Sequence, residues 1–277
     1  SVNMMSVIAS SFTVLFLFLT ITGIARRLVD FEKNNAYTQI LVLVAGLVGA
    51  VGFAYTDSFW YNAVEAEVYA MATCILSILF WLGLRWEADI DKPRGDRWLV
   101  LIAFVVGLSF GVHFMGLLTI PAIGMLYYFK TAETVTPKGF IIANVCSVAV
   151  LLFIFKLLLP RTLAYFGYAE VFFVNEIGLP FHSGTIAAGL SLVLFFVYTL
   201  RLTHRKAWVQ LNTALLCVLF ILIGFSSWLM LPIRANANTV INENAPADAR
   251  ALLAYYNLEQ YPDTHLFYGP MFTDMYA

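Results

Sequence analysis

Two glutamates, Glu65 and Glu67, stand at the mouth of an apolar run. A carboxylate at such a depth is costly to desolvate, so each needs a partner or a task. If a helix opens over Val64–Tyr69, residues two apart point about 200° away from each other. One pocket then takes both acids only if the helix begins between them. Glu65 lies over Tyr61 and Tyr69 on such a helix, and Glu67 over Met71. One reading is an interfacial first turn whose acids complement the helix dipole. The other is a site that accepts or delivers a proton. Asp57, Trp60 and Asn62 just upstream favour the site, since they add a third acid, an amide and a ring.

Four further residues could bear chemistry. His113 falls where an apolar segment is interrupted by Gly111, Gly116 and Pro121. A histidine bonded to a broken helix end is the simpler reading, and no second histidine lies nearby to suggest a metal. Lys156, Arg161 and Arg234 flank helix ends on the otherwise acidic side. Snorkelling explains the first two. Arg234, directly after Leu231-Pro232-Ile233, is the best candidate to hold a lipid phosphate. The aromatic clusters Phe59–Tyr61 and Tyr165–Phe173 suit a membrane belt, and they also suit stacking on sugar faces. Gly107 with Gly111, and Gly46, Gly49 and Gly52, have the spacing of close helix packing. The cysteines, Cys74, Cys146 and Cys217, fit no metal or disulfide pattern. Phosphate-loop, dinucleotide, zinc and Ser-His-Asp motifs are missing from the sequence.

The elements that position these residues follow from composition. Of 277 residues, 61% are hydrophobic and 12% charged, with a net charge of −1. A soluble domain carries about a quarter charged residues, so soluble enzymes are excluded, and no basic field exists to hold nucleic acid. The fold class is all-α: a polytopic transmembrane bundle. A crossing takes about 20 apolar residues. Crossings are expected at Met4–Ala25, Thr38–Tyr55, Val68–Leu84, Gly139–Leu159, Thr185–Leu202 and Val209–Leu231. The run Trp98–Phe129 is too long for one crossing, and it is expected to split into Trp98–Val112 and Met115–Phe129. That makes about eight crossings. The split gathers most of the 16 basic residues, Lys33 among them, on one side. Asn62, the segment Pro160–Gly184 and the tail then lie on the other. Residues 1–231 form the transmembrane domain. Residues 232–277 begin an extracytoplasmic segment, with a helix from Pro246 to about Tyr261.

Several runs resemble one family. They are Ser58-Phe59-Trp60-Tyr61-Asn62-Ala63-Val64-Glu65-Ala66-Glu67-Val68-Tyr69, then Gly107-Leu108-Ser109-Phe110-Gly111-Val112-His113. In the tail they are Ile241-Asn242-Glu243-Asn244-Ala245-Pro246, Glu259-Gln260-Tyr261 and Leu266-Phe267-Tyr268-Gly269. They resemble a bacterial polytopic membrane family catalogued as a domain of unknown function. Its animal relative is the protein O-mannosyltransferase of receptor IPT domains. The resemblance implies a GT-C type glycosyltransferase. Such an enzyme passes a sugar, here mannose, from a polyprenyl-phosphate donor to an extracytoplasmic protein acceptor. It implies no further cofactor and a bacterial inner membrane, with the site facing the periplasm. It also implies that the chain starts at the second family helix, without the first outer loop whose Asp-based motif provides the catalytic base. Glu67 matches an acidic position shared with the animal relative, and Glu65 matches the bacterial pattern. Both are assigned supporting acid or acceptor-orienting roles. Arg234 and His113 are assigned to the donor phosphate, and Asp57, Trp60, Asn62 and Tyr69 to substrate binding. The competing readings are a transporter, whose broken helices would carry a solute, and a non-catalytic membrane subunit of an export machine.

Overall fold

The computed structural model describes residues 2–29, 36–237, 239–262 and 268. Lys33 and the run Leu266–Gly269, apart from Tyr268, lie outside the described residues. The chain divides into two compact units. One comprises Ser1–Leu157 and Leu192–Trp228, the other Leu158–Ser191 and Leu229–Ala277.

The first unit is a helical bundle. Its opening helices are α1 (Val2–Leu28), α2 (Ala36–Ala54), the short α3 (Asp57–Val64) and α4 (Val68–Asp89). They are followed by α5 (Arg97–Ser109), α6 (Thr119–Thr131) and α7 (Pro137–Leu152). A 3-10 turn, Phe114–Leu118, joins α5 to α6. The last helices are α9 (Ser183–Arg205), which enters this unit at Leu192, and α10 (Val209–Phe225). Among the described residues six helices are long and apolar enough to cross a membrane. The protein is an integral membrane protein built as a polytopic helical bundle. The expected split of Trp98–Phe129 is present. Each product has 13 residues, about 20 Å, which falls short of a hydrocarbon core about 30 Å thick.

Small residues set the packing. Ala9 of α1 meets Ala70 and Cys74 of α4 in a buried cluster. Ser6, Ser10 and Thr13 are buried on α1 as well. The Thr13 hydroxyl donates to the carbonyl of Ala9, 3.0 Å away, which satisfies it inside its own helix. Gly46 and Gly49 lie against Thr22, Phe18 and Ile21 of α1. Gly52 does not share their role, since a Cβ there would meet nothing within 4 Å. α5 and α10 cross backbone against backbone. A Cβ on Gly107 would stand 2.1 Å from the Ile221 carbonyl oxygen, and one on Gly224 would stand 2.3 Å from that of Phe104.

At the end of α4 an almost buried carboxylate organises the turn into α5. Asp89 accepts from Lys92 Nζ and from Trp98 Nε1, both at 2.8 Å, and Arg97 lies 3.7 Å away. The guanidiniums of Arg85 and Arg97 sit 5.3 and 5.0 Å from the Trp98 ring. Sequence reasoning did not single out Asp89, because its partners follow only from how the turn closes.

The helix expected to end at Leu159 does not stop there. It continues through a π turn, Phe153–Leu158, into α8 (Leu159–Val171) and a second π turn, Phe172–Glu176. Pro160 has no N–H, and its ring crowds the carbonyl four residues back. A widened turn relieves that conflict and lets the helix run on. The segment Pro160–Gly184, expected as an outer loop, is therefore helical as far as Glu176.

In the second unit α8 carries the acceptor for the start of α9. Glu170 accepts from the backbone N–H of His182 at 2.5 Å and of Thr185 at 2.8 Å, and from the Thr185 hydroxyl at 2.9 Å. Removing this acceptor strands two backbone donors. Glu170→Ala is expected to destabilise the protein by about 1–3 kcal/mol, read as a lowered melting temperature in detergent. An unchanged melt would show that water replaces the carboxylate. The unit also holds α11 (Met230–Ala235) and α12 (Ala249–Tyr256). α12 is shorter than expected, and Pro246 precedes it. Its N-cap is Asp248, whose Oδ1 accepts from the N–H groups of Arg250 and Ala251. Asn244 and Ala245 adopt positive φ just before it, which keeps them out of a right-handed helix.

Candidate functional site

α2 ends at Ala54, and the chain turns at once into α3. Phe59 anchors α3, buried and 4.7 Å from the Phe53 ring. The opposite side of α3 stays open. Trp60 is exposed there and stacks on Tyr55, with centroids 5.9 Å apart and planes within 12°. Asp57 is exposed in the first turn. Asn62 turns back on its own helix, its Nδ2 donating to the Ser58 carbonyl at 2.9 Å. The end of α3 is fixed from the start of α1, where Asn3 Nδ2 donates to the carbonyl of Val64 at 2.8 Å.

The two glutamates occupy the link between α3 and α4, not the first turn of one helix. Glu65 caps the C-terminus of α3 with φ −89° and ψ 150°, and Glu67 is the N-cap of α4 with φ −117° and ψ 164°. Both backbones are extended, so the 200° separation of a helix does not apply. The helix expected at Val64 resumes only at Val68. An acid at an N-cap ordinarily accepts a backbone N–H of the first turn. Glu67 makes no such bond. Neither carboxylate has an ion-pair or hydrogen-bond partner among the described residues, and both are exposed.

Beside this link lies the break after α5. His113 is the N-cap of the 3-10 turn, and its Nδ1 accepts from the Met115 N–H at 3.2 Å. That bond requires a lone pair on Nδ1, so in the neutral ring the proton sits on Nε2. The ring lies 4.8 Å from Phe114 and 6.0 Å from Tyr69, in the first turn of α4. Trp228 holds the break shut, its Nε1 donating to the Phe110 carbonyl at 2.6 Å. The expected bond between His113 and a broken helix end is present.

The geometry brings Asp57, Trp60, Glu65, Glu67, Tyr69 and His113 to one end of the first unit, with Asn62 committed to its own helix. Arg234 lies on α11 of the second unit, where its side chain is exposed. Asn3 and Trp228 shape the site and carried no signal in the sequence, because each acts through a backbone carbonyl far along the chain. Among the described residues no three His, Cys, Asp or Glu side chains gather as metal ligands.

Residues 1–136 match the family model described as Protein O-mannosyl-transferase TMEM260 N-terminal domain. No curated protein and no solved structure matches the chain. The matched stretch contains α1 to α6, and with them the glutamate link and His113, while Arg234 lies beyond it.

Proposed function

Since its first 136 residues are related to that O-mannosyl-transferase family, we propose that the protein is a membrane glycosyltransferase of GT-C type. It moves a sugar, mannose on this reading, from a polyprenyl-phosphate donor to an extracytoplasmic protein acceptor. The single observation carrying this is the family match over the stretch that contains Glu67, a carboxylate at a helix start that is not used as a cap. The acceptor's hydroxyl oxygen attacks the anomeric carbon, the bond from that carbon to the lipid phosphate breaks, and the hydroxyl proton passes to a carboxylate. The pair of electrons from the broken bond leaves with the phosphate. Glu67, with Glu65 beside it, orients the acceptor or takes part in the proton transfer. Asp57, Trp60, Asn62 and Tyr69 bind substrate, Trp60 through its ring face. Arg234 and His113 stabilise the departing phosphate, Arg234 by its charge and His113 by its Nε2 proton. The membrane is the bacterial inner membrane, with the site on the periplasmic side.

The role of Arg234 has its own test. A charge-assisted bond from arginine to phosphate is worth about 1.5–3 kcal/mol. Arg234→Ala is therefore expected to weaken binding of the polyprenyl-phosphate sugar roughly 10- to 150-fold, with melting unchanged. Arg234→Lys should recover part of it, since lysine lacks the planar fork. Titration of the full-length protein with the lipid donor reads this, and unaltered affinity in a folded Arg234→Ala protein would remove the role.

A further inference from the structure

The outer surface of α9 carries a groove lined by Leu194, Val197, Tyr198, Arg201, Leu202 and Arg205. These positions, three or four apart, form one stripe on the helix. Leu194 and Tyr198 are each 67% exposed, so no helix of the unit covers the stripe. It is apolar along its length and closes on two arginines at the last turns of a helix long enough to cross a membrane. Among the described residues four cations of the unit meet acids within 4 Å. Arg27 pairs with Glu87, Lys92 and Arg97 with Asp89, and Lys130 with Asp91. Arg201 and Arg205 have no acidic partner among the described residues. Like charges four apart on a helix repel, and an anion held between them removes that repulsion. One residue further, Lys206 lies 4.8 Å from the Trp208 ring, a pairing suited to the membrane–water boundary.

We propose that this groove binds one anionic phospholipid of the surrounding leaflet. Its phosphate sits between the two guanidiniums, which suit bidentate phosphate contacts. One acyl chain lies along Leu202, Val197 and Leu194, with the Tyr198 ring beside it. A helix C-terminus favours a cation in its last turn, but that preference does not account for an apolar groove leading to the pair. A second copy of the chain fits less well. A two-fold contact along this stripe in one membrane brings four arginines to the same depth. This inference stands apart from the transferase reading, because it concerns lipid retention and not sugar transfer.

The test uses the full-length protein released from membranes of mixed phosphatidylcholine and phosphatidylglycerol, with native mass spectrometry of the retained lipid. The wild type is expected to keep phosphatidylglycerol preferentially. The Arg201→Gln/Arg205→Gln protein should lose that preference at least ten-fold, and Arg201→Lys/Arg205→Lys should keep part of it. Equal retention of both lipids by the wild type, or an undiminished preference in the glutamine variant, overturns the proposal. So does an altered oligomer mass in that variant with lipid preference intact, which assigns the face to a second copy. Displacement of phosphatidylglycerol by added polyprenyl phosphate assigns the arginines to the donor and also overturns it. A photoactivatable phosphatidylglycerol headgroup on the wild type needs no variant to fold. Labelling is expected between Arg201 and Trp208, at the end of α9 and in the turn that follows it, and labelling confined to other segments contradicts the site.

Discussion

Glu67→Gln in the full-length protein is expected to slow sugar transfer by about 10²–10⁴-fold, the range typical of losing a positioned acid or base. Stability should hold. The glutamate sits at the N-cap of α4, yet its carboxylate accepts no backbone N–H there. The substitution therefore removes charge and basicity without removing a cap. Were the acid only complementing the helix dipole, its loss would cost about 0.3–1 kcal/mol of stability and leave the rate alone. Transfer to an exported acceptor, measured beside expression level and melting temperature, separates the two. A normal rate with Glu67→Gln would shift the role to Glu65, two residues away on the same extended link. If both glutamine variants transfer normally while flux of a solute across the membrane depends on them, the transporter reading replaces this one.

Gly107→Val is expected to destabilise the first unit by about 3 kcal/mol, the upper end of ordinary overpacking. The obstacle at Gly107 is backbone. A Cβ would meet the Ile221 carbonyl oxygen at 2.1 Å, and the Ile221 carbonyl carbon and Cα lie within 3 Å as well. No side-chain rotation relieves that contact, so α5 and α10 must separate. Separation also strips contact from Gly224, which faces the Phe104 carbonyl and the Leu108 amide. Gly52→Ala is the matched control. With open space around it, alanine should be neutral or stabilise α2 by up to about 1 kcal/mol through helix propensity. Thermal melting in detergent reads both. Equal melting of Gly107→Val and wild type would mean that the crossing is looser than the structure has it.

What the sequence made legible, and what it did not, divides by the range of the interaction. The long helices were readable because each apolar run is nearly as long as its helix, as Val68–Leu84 is within α4. The break at His113 was readable because Gly111, Gly116 and Pro121 interrupt the run locally. The link at Glu65–Glu67 was not. Val64-Glu65-Ala66-Glu67-Val68 contains no glycine or proline, and nothing local shows that α3 must stop. Its end is fixed by Asn3, whose amide reaches Val64 from 61 residues away. Pro160 misled in the opposite direction. Proline at a run's end ordinarily stops a helix, but the π turn before it absorbs the missing bond. The use of Glu170 as the acceptor for α9 depends on α8 and α9 meeting end to side, which no local pattern shows and which Gly184 permits by lying against Ala169 and Glu170.

Transfer itself is the most direct measure of a glycosyltransferase. Purified full-length protein in liposomes is given a polyprenyl-phosphate sugar and an exported acceptor protein, and the acceptor is weighed by mass spectrometry. The expected result is a mass increase of one sugar on a hydroxyl side chain, dependent on the lipid donor and nearly abolished by Glu67→Gln. An acceptor of unchanged mass, under conditions where the folded protein binds the donor, would contradict that activity.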